Sequence, residues 1–396
     1  MFGTLAELDA TRVYEEGWQS WSAAGVYPAQ ATSPRPPDRR AHTMGWRPGT
    51  DLPATGFQGE GLLVVETRDG AVAWFSADAA SIRAEVRRGG LVVSADGPVQ
   101  ELRAGGIDGA LAAVGEALAA WPPRRVGPGW CSWSQYFHQV TADDVLENVQ
   151  AAQRLELPFA FVQVDDGWQA GIGDWLHVSP RFGDLRGVLD AIRSAGLGAG
   201  LWTAPFLAAS GSPLGGGYAG FNWGQELRGL DLTRPAALEE LEHVYATLRE
   251  WGVTLHKLDF LYAGALSGVG AYRDGLRAIR RGAGDDAILL GSGAPLLPSI
   301  GLVDAMRVGG DVLPVPPEDP DLAIPMKITG ARRWMNGRLW VNDPDHLVVR
   351  PEIAQREEWA EHIRDYGGLV VSSDRLEALD ARGLALTREV LAYSTA

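Results

Sequence analysis

Residues 254–261 read TLHKLDFL, an apolar run that holds a lysine and an aspartate two positions apart. In a strand, residues i and i+2 point to the same face, so Lys257 and Asp259 share one side and His256 takes the other. Charges are rarely buried without a purpose, and here they sit near the end of what otherwise reads as a buried strand. Seven further runs of the same kind surround it: GWCSW (129–133), FAFVQVDD (159–166), GAGLWTAP (198–205), AILLGSG (287–293), DAMRVGG (304–310), RLWVND (338–343) and GLVVSS (368–373). Amphipathic stretches such as TADDVLENVQAAQRL (141–155) and RPAALEELEHVYATLREW (234–251) alternate with them, and Thr141 with Asp144 offers a helix N-cap. Eight βα units in this length predict a parallel (β/α)8 TIM barrel over residues 126–396. A doubly wound open sheet is the competitor, and the absence of a glycine fingerprint disfavours it.

The first part of the chain is different. GLLVVET, AVAWFSA and GLVVSAD are short strand-like runs, YPAQATSPRPPDRR is a Pro-rich loop, and IDGALAAVGEALAAW has helical spacing. Residues 1–125 therefore read as a reduced N-terminal β-rich module. Across 396 residues, 46% hydrophobic and 21% charged composition is that of a globular protein. A net charge of −15 argues against nucleic acid and anionic membrane as partners. With Cys131 the single cysteine, no internal disulfide can form. Neither a signal peptide nor a membrane span is legible, so a cytoplasmic location is expected.

Barrel chemistry sits at the C-terminal ends of the strands. Acids end four of them: Asp165 and Asp166, Asp259, Asp311, then Asp343 with Asp345. Helix capping is the plain reading for Asp343 and Asp345, but FLYAGAL after Asp259 is no helix start. Metal ligation fits poorly, because only His256 lies in a barrel strand and faces the helices, while Lys257 and Arg307 would repel a cation. No metal or other cofactor is expected. Phosphate-binding loops and a serine nucleophile elbow are absent as well. The chain carries 15 tryptophans, many beside Gly, Asp or Asn, which suits flat walls for sugar rings. Carboxylates among such walls match glycoside hydrolysis, which uses two carboxyls across the scissile bond. Lys257 is expected to keep Asp259 ionised.

Seven ordered segments, EEGWQSWS (15–22), GWCSWSQYF (129–137), VQVDDGWQAGIGDWL (162–176), GLWTAPF (200–206), HKLDFLYAGAL (256–266), GSGAPLLPSIGLVDAMRVGGDV (291–312) and RLWVNDPDHLVVR (338–350), resemble glycoside hydrolase family 36, the melibiase-like enzymes, and among them the shorter bacterial α-galactosidases. The resemblance implies a retaining α-galactosidase with Asp259 as nucleophile and Asp311 as acid/base. It implies that Asp165 and Asp166 clamp the sugar O4 and O6, that Lys257 and Arg307 bind hydroxyls near the reacting carbon, and that Trp133, Trp202 and Trp21 wall the pocket. Ser292 stands in the fifth strand where relatives often have cysteine, and Ser134 where they have an aromatic. Relative to the family, the N-terminal sandwich is expected to be a stump, the C-terminal β-domain missing, residues 210–224 shortened, and DVLPVPPEDP (311–320) without its usual tryptophan. The expected partner is a small-molecule α-galactoside, and a homo-oligomer is compatible with the chain. Alternatives are another galacto-configured sugar, transfer to a sugar acceptor, or a sugar-binding protein that has lost catalysis.

Overall fold

The computed structural model describes residues 2–87, 90–120, 122–312 and 322–394. Most of the DVLPVPPEDP stretch thus lies outside the described residues.

Eight parallel strands form the barrel: Gly129–Cys131, Phe161–Val164, Gly198–Thr203, Val253–Leu258, Ile288–Gly291, Ala305–Arg307, Val341–Asp343 and Val371–Ser372. Each pairs with its neighbour in chain order, and the eighth pairs with the first. The remaining seam, between the seventh and eighth, is bridged by the Leu369 amide donating to the Asn342 carbonyl at 2.7 Å. That bond turns a curved sheet into a closed barrel, as the unit count predicts. Helices follow the strands, and the one at Ala142–Arg154 opens with the capping box of Thr141 and Asp144. The fifth strand is the exception. Only a short 3-10 turn, Leu297–Ser299, follows it before the sixth strand. The N-terminal turn takes up this side: the Ser20 amide donates to the Ala294 carbonyl and the Leu296 amide to the Trp18 carbonyl.

The N-terminal module is more than a stump. Nine antiparallel strands form two sheets of four and five strands. The strand Leu62–Thr67 explains why the run LLVV lacks alternation. Leu63 and Val65 face the four-stranded sheet, meeting Phe57, Ile82 and Val93, while Leu62 and Val64 face the barrel side. Both faces are dry, so apolar residues succeed one another. The helix Ile107–Leu118 lies on the outer face, with Ile107, Ala110, Leu111 and Val114 buried. Gly115 lets it close on the barrel, since a Cβ there would stand 2.8 Å from Arg338 and 3.4 Å from Trp334.

His256 faces outward, as strand alternation requires. It is fully buried, 5.0 Å from the Tyr245 ring, and neither ring nitrogen has a partner among the described residues. Burial, aided by the Arg280 charge, pushes its pKa down to about 3. The folded protein therefore resists a proton that the unfolded chain accepts at about 6.5. Stability from this group is complete above that value and is lost as pH falls from there toward 3. Between pH 7 and 5 the loss amounts to about 2 kcal/mol. His256→Leu should show that much less acid destabilisation than wild type in urea titrations at the two pH values. An equal loss in both proteins would mean that His256 is not held neutral.

Candidate active site

A cavity of about 440 Å³ opens at the C-terminal ends of the barrel strands. It gathers the carboxyls of Asp165, Asp166, Asp259 and Asp311 together with Lys257. Trp21, Trp133 and Trp202 line it as well. A larger groove of about 600 Å³ elsewhere is lined mainly by glycines, prolines, arginines and apolar side chains such as Phe159 and Ile363, and it gathers no carboxylate. Among the described residues, no group of three or more His, Cys, Asp or Glu side chains is placed to hold a metal.

The fourth strand delivers Lys257 and Asp259 to the interior; their charges interact, but the lysine's hydrogen-bond partner is another carboxyl. The ammonium binds Asp165 at 2.9 Å, with both side chains almost wholly buried. Gln163 Nε2 also donates to Asp165, at 2.6 Å. Burial raises the Asp165 pKa, but the Lys257 charge and hydrogen bond, the His346 charge and the Asp166 amide together outweigh it, and the carboxyl is held below its usual range. Lys257 is correspondingly held charged: burial opposes this most strongly, but Asp165, with Cys131 and Asp259 adding to it, together outweigh the burial. Asp166 is shifted upward by burial, even though Gln169 Nε2 and Trp223 Nε1 donate to it at 2.6 and 2.9 Å.

Asp259 is oriented by two other donors, the Trp202 indole at 3.1 Å and the Phe260 amide at 2.8 Å. Phe260 reaches that position with φ of +51°, in the left-handed region. Such a conformation costs about 1–3 kcal/mol and persists where surrounding structure imposes it. Trp223 at the cavity and Asp345 just behind it also have positive φ, +47° and +94°.

Asp311 follows the sixth strand and accepts from Arg307 at 2.9 Å. Burial within the mouth pushes its pKa up to about 6; Arg307 and Lys257 oppose the rise, and Asp345 and Asp259 add to it. Its side chain keeps 44% exposure toward the opening, so water softens the shift until a ligand fills the space. Asp343 and Asp345 do not cap a helix, contrary to the plain reading, because the next helix starts only at Arg356. Asp345 pairs with Arg307 and accepts from the Val312 amide at 2.6 Å, bracing the segment that carries Asp311.

Arg307 and Ser292, both candidate substrate-binding residues, lie apart from the cavity lining. Arg307 is fully buried behind the carboxylates. Arg307 Nε and Nη1 and the Ser292 hydroxyl lack partners among the described residues. The sequence also left six lining residues unassigned: Met44, His138, Asn222, Trp223, Phe260 and Gly310. Asn222 and Trp223 sit at the tip of an antiparallel hairpin, Gly215–Asn222 with Gln225–Leu230. The three glycines at 215–217 are in its first strand. Ser134 turns its hydroxyl to His346 Nδ1 at 2.8 Å, inside the protein. Most tryptophans are core. Trp168 and Trp175, which stand beside Gly or Asp, are buried, and among the described residues the tryptophans lining the cavity are Trp21, Trp133, Trp202 and Trp223.

A (β/α)8 barrel with a two-sheet β-sandwich at its N-terminus, and acids and tryptophans gathered at the barrel mouth, defines the structural class. Comparison with known proteins narrows it. A family model described as raffinose synthase or seed imbibition protein Sip1 matches residues 123–174. The α-galactosidase TtGalA of Thermus thermophilus, in complex with p-nitrophenyl α-D-galactopyranoside, superposes with a TM-score of 0.85 at 28% identity, covering 99% of this chain and 88% of that one. Its stachyose complex gives 0.84 at 27%, covering 98% and 93%. The family 36 α-galactosidase AgaA of Geobacillus stearothermophilus shares the fold, at 0.70 and 13% identity over 100% of this chain and 62% of its own. The chain is thus similar in sequence and fold to the Thermus α-galactosidase, and it shares its fold with a family 36 enzyme. Among the described residues, no helix is long and apolar enough to cross a membrane.

Proposed function

We propose that the chain is a retaining α-galactosidase, built as an N-terminal module over 1–125 and a catalytic barrel over 126–396. The observation that carries this reading is the pairing of carboxyls in one cavity: Asp259 held by two N–H donors, and Asp311 able to keep a proton up to about pH 6. In the first step an Asp259 oxygen attacks the anomeric carbon while Asp311 gives its proton to the departing glycosidic oxygen. The aglycone leaves and a glycosyl ester on Asp259 remains. In the second step the Asp311 carboxylate takes a proton from water, whose oxygen attacks the same carbon and frees Asp259. Two inversions return the α-anomer. The donors on Asp259 suit an ionised nucleophile, and the raised pKa of Asp311 suits a general acid.

Asp165 and Asp166 offer acceptor oxygens deep in the cavity, a setting for the axial O4 and for O6 of galactose. A site built around a hydroxyl rejects the epimer that moves it, because buried polar groups are then left unpaired. The test is turnover of aryl α-galactosides and α-glucosides, with NMR detection of the first-formed sugar. α-Galactose first, and a strong galactoside preference, are the expected results. A β-anomer would end the retaining assignment, and equal rates on glucosides would end the clamp role of Asp165 and Asp166.

The synthase named by the matching family model favours one second reading, in which a sugar acceptor replaces water in the second step. Product analysis with added sugar acceptors separates transfer from hydrolysis. A protein that only binds sugar would not need both acids, and turnover of any aryl α-galactoside excludes it.

A further inference from the structure

Trp21 lines the cavity, yet it belongs to the chain's N-terminal segment rather than to the barrel. Its indole nitrogen has no partner among the described residues, so no side-chain hydrogen bond holds the ring. The ring lies edge-on to Phe260 at 5.3 Å and close over Gly293, where a Cβ would stand 3.0 Å from it. Gly293 itself has φ of +54°. What holds the ring in place must therefore act on the backbone of the turn.

Arg332, at the end of the helix Ala323–Ala331, does this. It is fully buried. Its Nη1 donates to the Ser20 carbonyl at 2.7 Å, and its Nη2 to the carbonyls of Ser22 at 3.0 Å and Gln19 at 3.3 Å. These carbonyls bracket Trp21. Nη1 also donates to the Val308 carbonyl at 3.0 Å, on the segment that leads to Asp311. Nε meets Glu16 at 2.8 Å, and the Tyr14 hydroxyl caps the other Glu16 oxygen at 2.6 Å. All five guanidinium N–H groups are thereby engaged in a fork that no other side chain can reproduce.

We propose that Arg332, with Glu16 as its counter-charge, is a positioning residue that holds Trp21 in the barrel's sugar cavity and ties it to the segment bearing Asp311. The inference rests on the sugar-cavity reading above. A merely structural ion pair would cost stability alone, or would act on binding independently of Trp21.

A double-mutant cycle separates the two. In the wild-type background, Arg332→Met should weaken D-galactose binding about tenfold, as expected for residues acting as one unit. In a Trp21→Ala background it should add less than about twofold. Equal losses in the two backgrounds, or an unchanged Kd in a folded variant, overturn the proposal. Should Arg332→Met fail to fold, Arg332→Lys keeps the charge but offers only three donors, and the same non-additive pattern is expected. Hydrogen exchange over residues 18–23 reads the clamp without sugar. Faster exchange there, with the barrel strands unchanged, is expected in either variant, and unchanged protection overturns the proposal. A wild-type protein that binds no galactose would refute the assigned substrate, while the exchange result would still decide the clamp.

Discussion

Asp259→Ala is expected to abolish turnover of aryl α-galactosides whatever their leaving group, by about four to six orders of magnitude in kcat. The carboxyl would form the bond to the anomeric carbon, and neither the Trp202 indole nor the Phe260 amide can substitute for it, since both only donate. No burst of released phenol should appear, because no glycosyl ester can accumulate. The fold should survive, as the two donors face the cavity, where water can replace the carboxyl. Retention of more than a hundredth of wild-type activity would show that another group attacks.

Asp311→Ala should behave differently. Substrates with poor leaving groups need a proton at the glycosidic oxygen, so their kcat/KM should fall about 10²–10⁴-fold. An activated aryl α-galactoside leaves without that proton, so its first step should be nearly intact. The second step lacks its base, so a stoichiometric burst followed by slow turnover is expected. The pH profile gives an independent check. Asp311 must be protonated in the first step and its pKa lies at about 6, so wild-type kcat/KM should decline as pH rises through that value. The variant has no acid to lose and should lack that limb. A burst in Asp259→Ala and none in Asp311→Ala would exchange the two roles.

The barrel was legible because parallel strands covered on both faces are continuous apolar runs between glycines, and all eight such runs became strands. The sandwich was less so. Strands such as Gly3–Leu8 and Gln100–Ala104 are short and largely exposed, so they carry neither an apolar run nor clean alternation. In the cavity, the i, i+2 rule placed Lys257 and Asp259 on one face but did not supply the lysine's partner. Side chains in a barrel interior meet in layers drawn from alternate strands, so Lys257 of the fourth strand meets Asp165 from the end of the second. Phe260 could have been found, as the residue after the strand-end acid. Trp223 carried the same Gly/Asn context as the other tryptophans, but its reach depends on the length and twist of a hairpin, which local pattern does not encode. Met44 and His138 sit outside the barrel strands and carry no chemical signature.

The five-stranded sheet has a consequence for how this chain is made. Its outer face, with Tyr14, Leu62, Val64 and Phe75, is covered partly by the helix Ile107–Leu118 and partly by barrel residues near Trp334 and Leu339. A ribosome adding about 5–20 residues per second reaches that second cover roughly ten seconds to the better part of a minute after the helix emerges. Through that interval the nascent sandwich presents a half-covered apolar face, a surface that chaperones bind and that neighbouring nascent chains can reach. Slow downstream translation would lengthen this exposure, whereas a sandwich released without the barrel would keep it permanently.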